Sequence, residues 1–212
     1  MTAGRVILLR HGQTSWNATG RFQGQADIEL DERGRAQAEQ AALQLQHERP
    51  TRLYSSDLLR ARQTAAAVEA VTGLTAQTDP RFREISVGSW EGWTLAEVMA
   101  EDPTYLEREI AGEDVRRSPT GESLGEVATR FRDALTEVVE DAATDDVVLV
   151  ATHGLAVRVG FAAFLGLDLV AARLFGGLRN CHWVTLVRIH DHWRVEGYNV
   201  GAGQQNLSGL VG

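Results

Sequence analysis

The sequence predicts an α/β fold: a three-layer α/β/α sandwich with a mostly parallel central sheet, an antiparallel edge hairpin and a small helical cap insertion. Three observations predict it. Two short runs, Val6-Ile7-Leu8-Leu9 and Val147-Val148-Leu149-Val150-Ala151, are continuously apolar, as in strands buried on both faces. Segments with helical spacing alternate with strand candidates, which builds a parallel sheet covered by helices. Near the end, residues 182–189 and 193–200 switch to an apolar–polar alternation across His190-Asp191-His192, the pattern of a hairpin.

Each element follows from local signals. Residues 6–9 form the first strand, which opens into Arg10-His11-Gly12-Gln13-Thr14. Gly12 is expected to let the chain turn sharply. Asp31 caps a helix running to about residue 48, with Leu30, Ala38, Ala42 and Leu45 on one face, and Pro50 ends it. Residues 52–55 form a second strand. Ser56 or Asp57 caps a helix over 58–72 that stops at Gly73. Residues 78–85 read as an extended segment delivering Glu84 to a strand end. Thr94-x-x-Glu97 and Ser123-x-x-Glu126 are capping boxes. The first opens a short helix before Pro103. The second opens the clearest helix, with Leu124, Val127, Ala128, Phe131, Leu135 and Val138 as its apolar stripe. Residues 88–121 include the first box and, from Pro103 on, are charged and broken by Pro103, Gly112, Pro119 and Gly121. They read as a cap insertion over one end of the sheet, so residues 1–212 form one domain. The strand at 147–151 ends in Thr152-His153-Gly154, and an apolar helix follows to about residue 165. Residues 201–212 are small and polar and are expected to fray.

Composition removes several functional classes. A net charge of −8 and a pI near 5.3 argue against nucleic acid or an anionic membrane as a partner. No run approaches the ~20 apolar residues of a membrane span, and no N-terminal stretch reads as a signal peptide. The single Cys181 cannot form an internal disulfide, which points to a cytoplasmic setting. All 21 basic residues are Arg. Without Lys there is no Schiff-base lysine, no pyridoxal-phosphate anchor and no P-loop lysine. His190 and His192 have no third ligand nearby and read as a polar turn. The edge hairpin offers a strand that could pair across a two-fold axis in a homodimer.

What remains is a constellation at strand ends, where ligands sit in open α/β sheets. Arg10, His11, Arg60, Glu84 and His153 each lie just after a strand candidate. Arg60 and Arg62 both fall in the first turn of a helix, and either could face an anion there. Arginines present planar donor forks to phosphate. A neutral His11, kept uncharged by Arg10 and Arg60, suits attack on phosphorus. Its other ring nitrogen should donate to a carbonyl to fix the tautomer. His153 is expected to serve as a protonated donor to a phosphoryl oxygen. Glu84 suits the departing alkoxide as acid and water as base, given a raised pKa or a proton shared with the bound phosphate. Arg108, Arg116 and Arg117 read as solvated surface, with a second anionic group as the alternative.

These residues arrive within a linked set: Leu9 to Thr14 with Trp16-Asn17, Ser55-Ser56-Asp57-Leu58-Leu59-Arg60-Ala61, Arg83-Glu84 with Gly88 and Trp90-Glu91-Gly92, Gly121-Glu122-Ser123, and Thr152-His153-Gly154. The set resembles the histidine phosphatase superfamily, the phosphoglycerate-mutase-like group. The resemblance implies His11 as phosphohistidine nucleophile and Glu84 as proton donor. It implies a phosphate pocket of Arg10, Arg60 and His153, approached by Asn17, Gln23, Gly24 and the Gly154 amide. It implies no metal and no cofactor, and a small-molecule phosphate ester as substrate. Gln13 replaces the commoner glutamate. The segment after Phe82 and the short cap are similar to the phosphatase branch. The tail around Gly177 to Trp183 is similar to actinobacterial glucosyl-3-phosphoglycerate phosphatases. Alternatives are a cofactor-dependent phosphoglycerate mutase, a ribazole phosphate phosphatase, a phospho-ligand binding module without catalysis, or a dinuclear metallohydrolase on His11, Glu84 and His153.

Overall fold

A computed structural model describes residues 2–203. Its elements run β1 (Arg5–Arg10), α1 (Ser15–Ala18), α2 (Glu32–Leu45), β2 (Arg52–Ser55), α3 (Leu59–Thr72), β3 (Gln77–Thr78), α4 (Leu95–Glu101), α5 (Tyr105–Ala111), α6 (Leu124–Glu140), β4 (Val147–Thr152), α7 (Gly154–Phe164), α8 (Leu169–Ala172), β5 (Trp183–Ile189) and β6 (His192–Val200). The six strands form one sheet in the order β3-β2-β4-β1-β5-β6. The first four in that order are mutually parallel, and β5 and β6 run antiparallel. The expected architecture is the observed one.

The continuous apolar runs have the predicted cause. Along β1, Ile7 and Leu9 face one core with Ala38, Ala42 and Leu45 of α2 and Val68 of α3. Val6 and Leu8 face the other core with Phe131 and Leu135 of α6 and Val157 of α7. All four β1 side chains are fully buried. At about 25 cal/mol per Å2 each contributes on the order of 2 kcal/mol. Parallel β1 and β4 in register, Arg10 opposite Thr152, therefore release His11 and His153 at the same edge of the sheet.

The caps are the expected ones at three helices. Asp31 accepts from Gly34 N at 2.7 Å, and the boxes at Thr94–Glu97 and Ser123–Glu126 are both closed. The cap of α3 differs. Leu58 is the N-cap and has no capping side chain. Asp57 is taken by Arg83, and the Leu59 amide is capped instead by Asp27 Oδ1 at 2.5 Å, 32 residues away. Of the segment 78–85 only Thr78 lies in a strand, at the end of β3. The chain then makes a 3-10 turn over Pro80–Phe82, because Asp79 caps Arg81 N and Pro80 cannot donate to a ladder. Gly12 does not adopt a left-handed conformation. A Cβ there would lie 2.3 Å from the Gly34 carbonyl oxygen, so close packing on α2 is what requires glycine. The cap region contains a second helix, α5, which its charge pattern hid. The tail beyond residue 203 lies outside the described residues. Among the described residues no helix is long and apolar enough to cross a membrane.

Candidate active site

A cavity of about 440 Å3 opens beyond the carboxyl ends of β1 and β4. Arg10, His11, Asn17, Gln23, Gly24, Arg60 and Glu84 all line it. His153 lies behind His11, fully buried, with the two rings edge-to-face at 5.1 Å between centroids. Gly154 lines a neighbouring hollow with Arg10, Glu84 and Arg158.

His11 is held from both sides. Its amide donates to the Thr152 carbonyl at 2.9 Å, which ties it to β4. Its Nδ1 lies 2.7 Å from the Gly12 carbonyl oxygen. A carbonyl only accepts, so Nδ1 carries the proton and Nε2 keeps its lone pair. Burial, then Arg60 and Arg10, push its pKa well below the ordinary histidine value, overriding the opposing Gly12 hydrogen bond. The ring is neutral and its free nitrogen is the nucleophilic one.

The two arginines are prepared differently. Arg10 leaves the end of β1 and donates Nη1 to the Leu178 carbonyl. Arg60 is fully buried and donates Nη1 to Ala26 O at 2.7 Å and Nη2 to Gly24 O at 2.8 Å. Burial pushes its pKa down to about 10, against the pull of Glu84 and Asp27. Both Nε atoms are buried without a partner among the described residues. Arg62, by contrast, is exposed. Gly24, at φ +52, serves as a carbonyl for Arg60, and a Cβ there would meet Val87 at 2.5 Å. Asn17 Oδ1 accepts from Thr14 N and from Asn180 Nδ2, and Gln23 Oε1 accepts from Thr14 Oγ1. Each amide oxygen is therefore used, and each side chain keeps its NH2 as a donor.

Glu84 is delivered by a clamped loop rather than by a strand. Its Oε1 accepts from Ile85 N at 3.0 Å and Ala156 N at 2.9 Å, and its Oε2 from Leu155 N at 3.2 Å. The N-terminus of α7 thus holds the carboxyl group. Behind it, Arg130 donates to the carbonyls of Arg81, Arg83 and Glu84 and pairs with Glu122. Asp57 pairs with Arg83 through both its oxygens. Arg130 had only its place off the α6 apolar stripe to mark it, which gives no hint of three long-range carbonyl partners.

Two expectations are corrected here. His153 is not a cation: burial, then Arg60 and His11, push its pKa well below the ordinary histidine range. It can donate through one ring nitrogen only. Arg117 is not solvated surface. It is 3% exposed, lies over the Tyr105 ring, donates to Tyr105 Oη and pairs with Glu109 at 2.7 Å. All three line the cavity with Phe22, Leu95 and Leu106. Arg108 and Arg116 pair with Asp102 and Glu126 at the surface, as a solvated reading expects. Arg117 reads as solvated in the sequence because it sits in a run of two arginines in a broken, charged stretch, where nothing local separates a buried cation from an exposed one.

Among the described residues no three His, Cys, Asp or Glu side chains form a group that could hold a metal ion. The profile of the histidine phosphatase superfamily (branch 1) matches residues 6–201. Over 202 residues the chain is 40% identical to a glucosyl-3-phosphoglycerate phosphatase of Mycobacterium tuberculosis, covering 91% of this chain and 88% of that one. It is 36% identical over 194 residues to a probable phosphoglycerate mutase of Yersinia pestis, covering 92% and 89%. A solved mycobacterial glucosyl-3-phosphoglycerate phosphatase in complex with VO3 superposes with a TM-score of 0.85 at 37% identity, covering 93% of this chain and all of that one. With a buried Arg-His-Gly strand end, a second histidine beside it and this match over nearly its whole length, the chain belongs to the histidine phosphatase superfamily, branch 1.

Proposed function

We propose that this protein is a metal-independent phosphomonoesterase that hydrolyses a small phosphate ester through a phosphohistidine on His11. The observation that carries the reading is the His11 ring: neutral, with Nδ1 spent on the Gly12 carbonyl and Nε2 left on a cavity wall between two arginines. In the first step Nε2 attacks phosphorus and the P–O ester bond breaks. The leaving alkoxide takes a proton from Glu84. In the second step water attacks the phosphohistidine, Glu84 accepts its proton, and the N–P bond breaks to give inorganic phosphate and free His11. Arg10 and Arg60 hold charge on the phosphoryl oxygens, and the Asn17 and Gln23 amides add neutral donors. Two fixed arginines supply the positive charge, so the pathway needs no metal ion. The buried Cys181 thiol, pushed up to about 12 by burial, suits a reducing cytoplasm.

The relatives' names point to phosphoglycerate esters as the first substrates to try. Free phosphate would be measured from p-nitrophenyl phosphate, 3-phosphoglycerate, glucosyl-3-phosphoglycerate and ribazole phosphate, with EDTA present. Release that persists in EDTA and is abolished in His11→Ala is expected. Release that EDTA abolishes, or that survives His11→Ala, overturns the mechanism. Interconversion of phosphoglycerate isomers without net phosphate release would instead identify a mutase.

A further inference from the structure

Ser56 is a fully buried hydroxyl that the chemistry above leaves without a task. It directly follows β2. The preceding hydroxyl, of Ser55, donates to the Ser56 carbonyl at 2.7 Å. The Ser56 amide donates to Ala151 O at 2.9 Å, which fixes it to the end of β4, two residues before His153. Its Oγ lies 2.9 Å from His153 Nε2 and accepts from the Leu58 amide at 3.3 Å.

Counting protons gives the direction of the Ser56–His153 bond. If Nε2 carried the ring proton, it would donate to Oγ, and two buried groups would be left without partners among the described residues, the hydroxyl proton and the Nδ1 lone pair; with the hydroxyl donating, only Nδ1–H is left. Buried polar groups left in that state are rare. If the hydroxyl donates to Nε2, its lone pair serves Leu58 and its proton serves the ring. The ring proton then sits on Nδ1, the side-chain nitrogen of His153 with no partner among the described residues. A neutral imidazole has one donor and one acceptor nitrogen, so fixing one fixes the other.

We propose that Ser56 is a positioning residue: its hydroxyl donates to His153 Nε2 and so holds His153 as the Nδ1–H tautomer, ready to donate to the phosphoryl group as it passes to His11. Ser56 makes and breaks no bond; it selects which nitrogen bears the proton. The proposal rests on the phosphohistidine reading and adds a residue to it. It accounts for a further neutral phosphoryl donor, beside the Asn17 and Gln23 amides, while the two arginines carry the charge. It also gives one short stretch three tasks. Ser56 orients His153, Asp57 holds Arg83 beside Glu84, and Arg60 reaches the cavity.

The test is the side-chain 15N–1H NMR spectrum of the whole chain near pH 7.5, with the His153 signals assigned by their loss in His153→Gln. Wild type is expected to show protonated Nδ1 and bare Nε2 at His153. Ser56→Ala is expected to mix the tautomers and lower kcat roughly ten- to a hundredfold, the usual reach of an outer partner that orients a histidine, with less effect on KM. Ser56→Thr keeps the hydroxyl and should restore both the spectrum and kcat. A wild-type spectrum with protonated Nε2 overturns the proposal, whether or not any variant folds. So does a folded Ser56→Ala with unchanged tautomer and kcat. Phosphate release that survives His11→Ala is a different failure, that of the phosphohistidine reading itself.

Discussion

The chain leaves the sheet twice through the same dipeptide, His-Gly, once after β1 and once after β4, and the two exits differ in which ring nitrogen they occupy. At the first, His11 gives Nδ1 to the carbonyl of its own neighbour, Gly12, and Nε2 stays free on the cavity wall. At the second, His153 gives Nε2 to Ser56, and Nδ1 stays free. Both rings are buried and held neutral by burial and arginine charge. The glycines differ as well. Gly12 is pressed against the backbone of α2, whereas Gly154 opens α7 beneath the Arg10 side chain. In the proposed mechanism two identical dipeptides thus become an attacking group and a donor because their neighbours differ.

The comparison can be broken most directly at the rings. His11→Ala should lower phosphate release by at least about four orders of magnitude, since His11 is the only histidine among the described residues that lines the cavity, and Glu84 there is committed to moving the proton. His153→Ala should lower it by about two to three, the loss of one charge-stabilising donor. Acid-labile phosphate should still accumulate on His11 in that variant. Equal losses in the two variants would mean that the two histidines share one task.

The glycines sharpen the contrast. An Ala at position 12 meets backbone at 2.3 Å and cannot be relieved by a rotamer. Gly12→Ala should cost about 1–3 kcal/mol, read as a lower thermal midpoint. An Ala at position 154 meets the Arg10 side chain first, at 3.2 Å, in a helix that favours Ala. Gly154→Ala should keep or slightly raise the midpoint while inorganic phosphate, as a product inhibitor, binds several-fold more weakly. A reversal of these two outcomes would place the tighter packing at the wrong exit.

The smallest effect is on pH. Both histidines have folded pKa values depressed below the ordinary 6.5. Below about pH 6.5 the unfolded chain takes up protons that the folded chain refuses, so unfolding is favoured as pH falls and their stabilising neutrality is lost. The thermal midpoint should therefore decline from pH 7 towards pH 5 and decline less in His11→Asn with His153→Gln. The acid limb of kcat/KM should lie below the usual histidine range. A limb at 6.5 would contradict the burial of His11.

Much of this was legible in the residues. Continuous apolar runs gave β1 and β4, capping boxes gave the starts of α4 and α6, and linked motifs gave Arg10, His11, Arg60 and Glu84. The cap of α3, the Arg130 clamp, the buried Arg117–Glu109 pair and the Ser56–His153 bond were not legible. The partners of each lie eight to about a hundred residues apart, and no local pattern records such a pairing.

By itself, then, the sequence determined which strands are buried on both faces and which chemical groups stand at their ends, because side-chain hydrophobicity and covalent neighbours are local properties. Only the tertiary structure decided that His153 is neutral, that Arg60 and not Arg62 faces the cavity, and which nitrogen of each histidine is free. Those depend on burial, on charges brought near through space and on the one hydrogen-bond partner each ring meets, and all three exist only once the chain is packed.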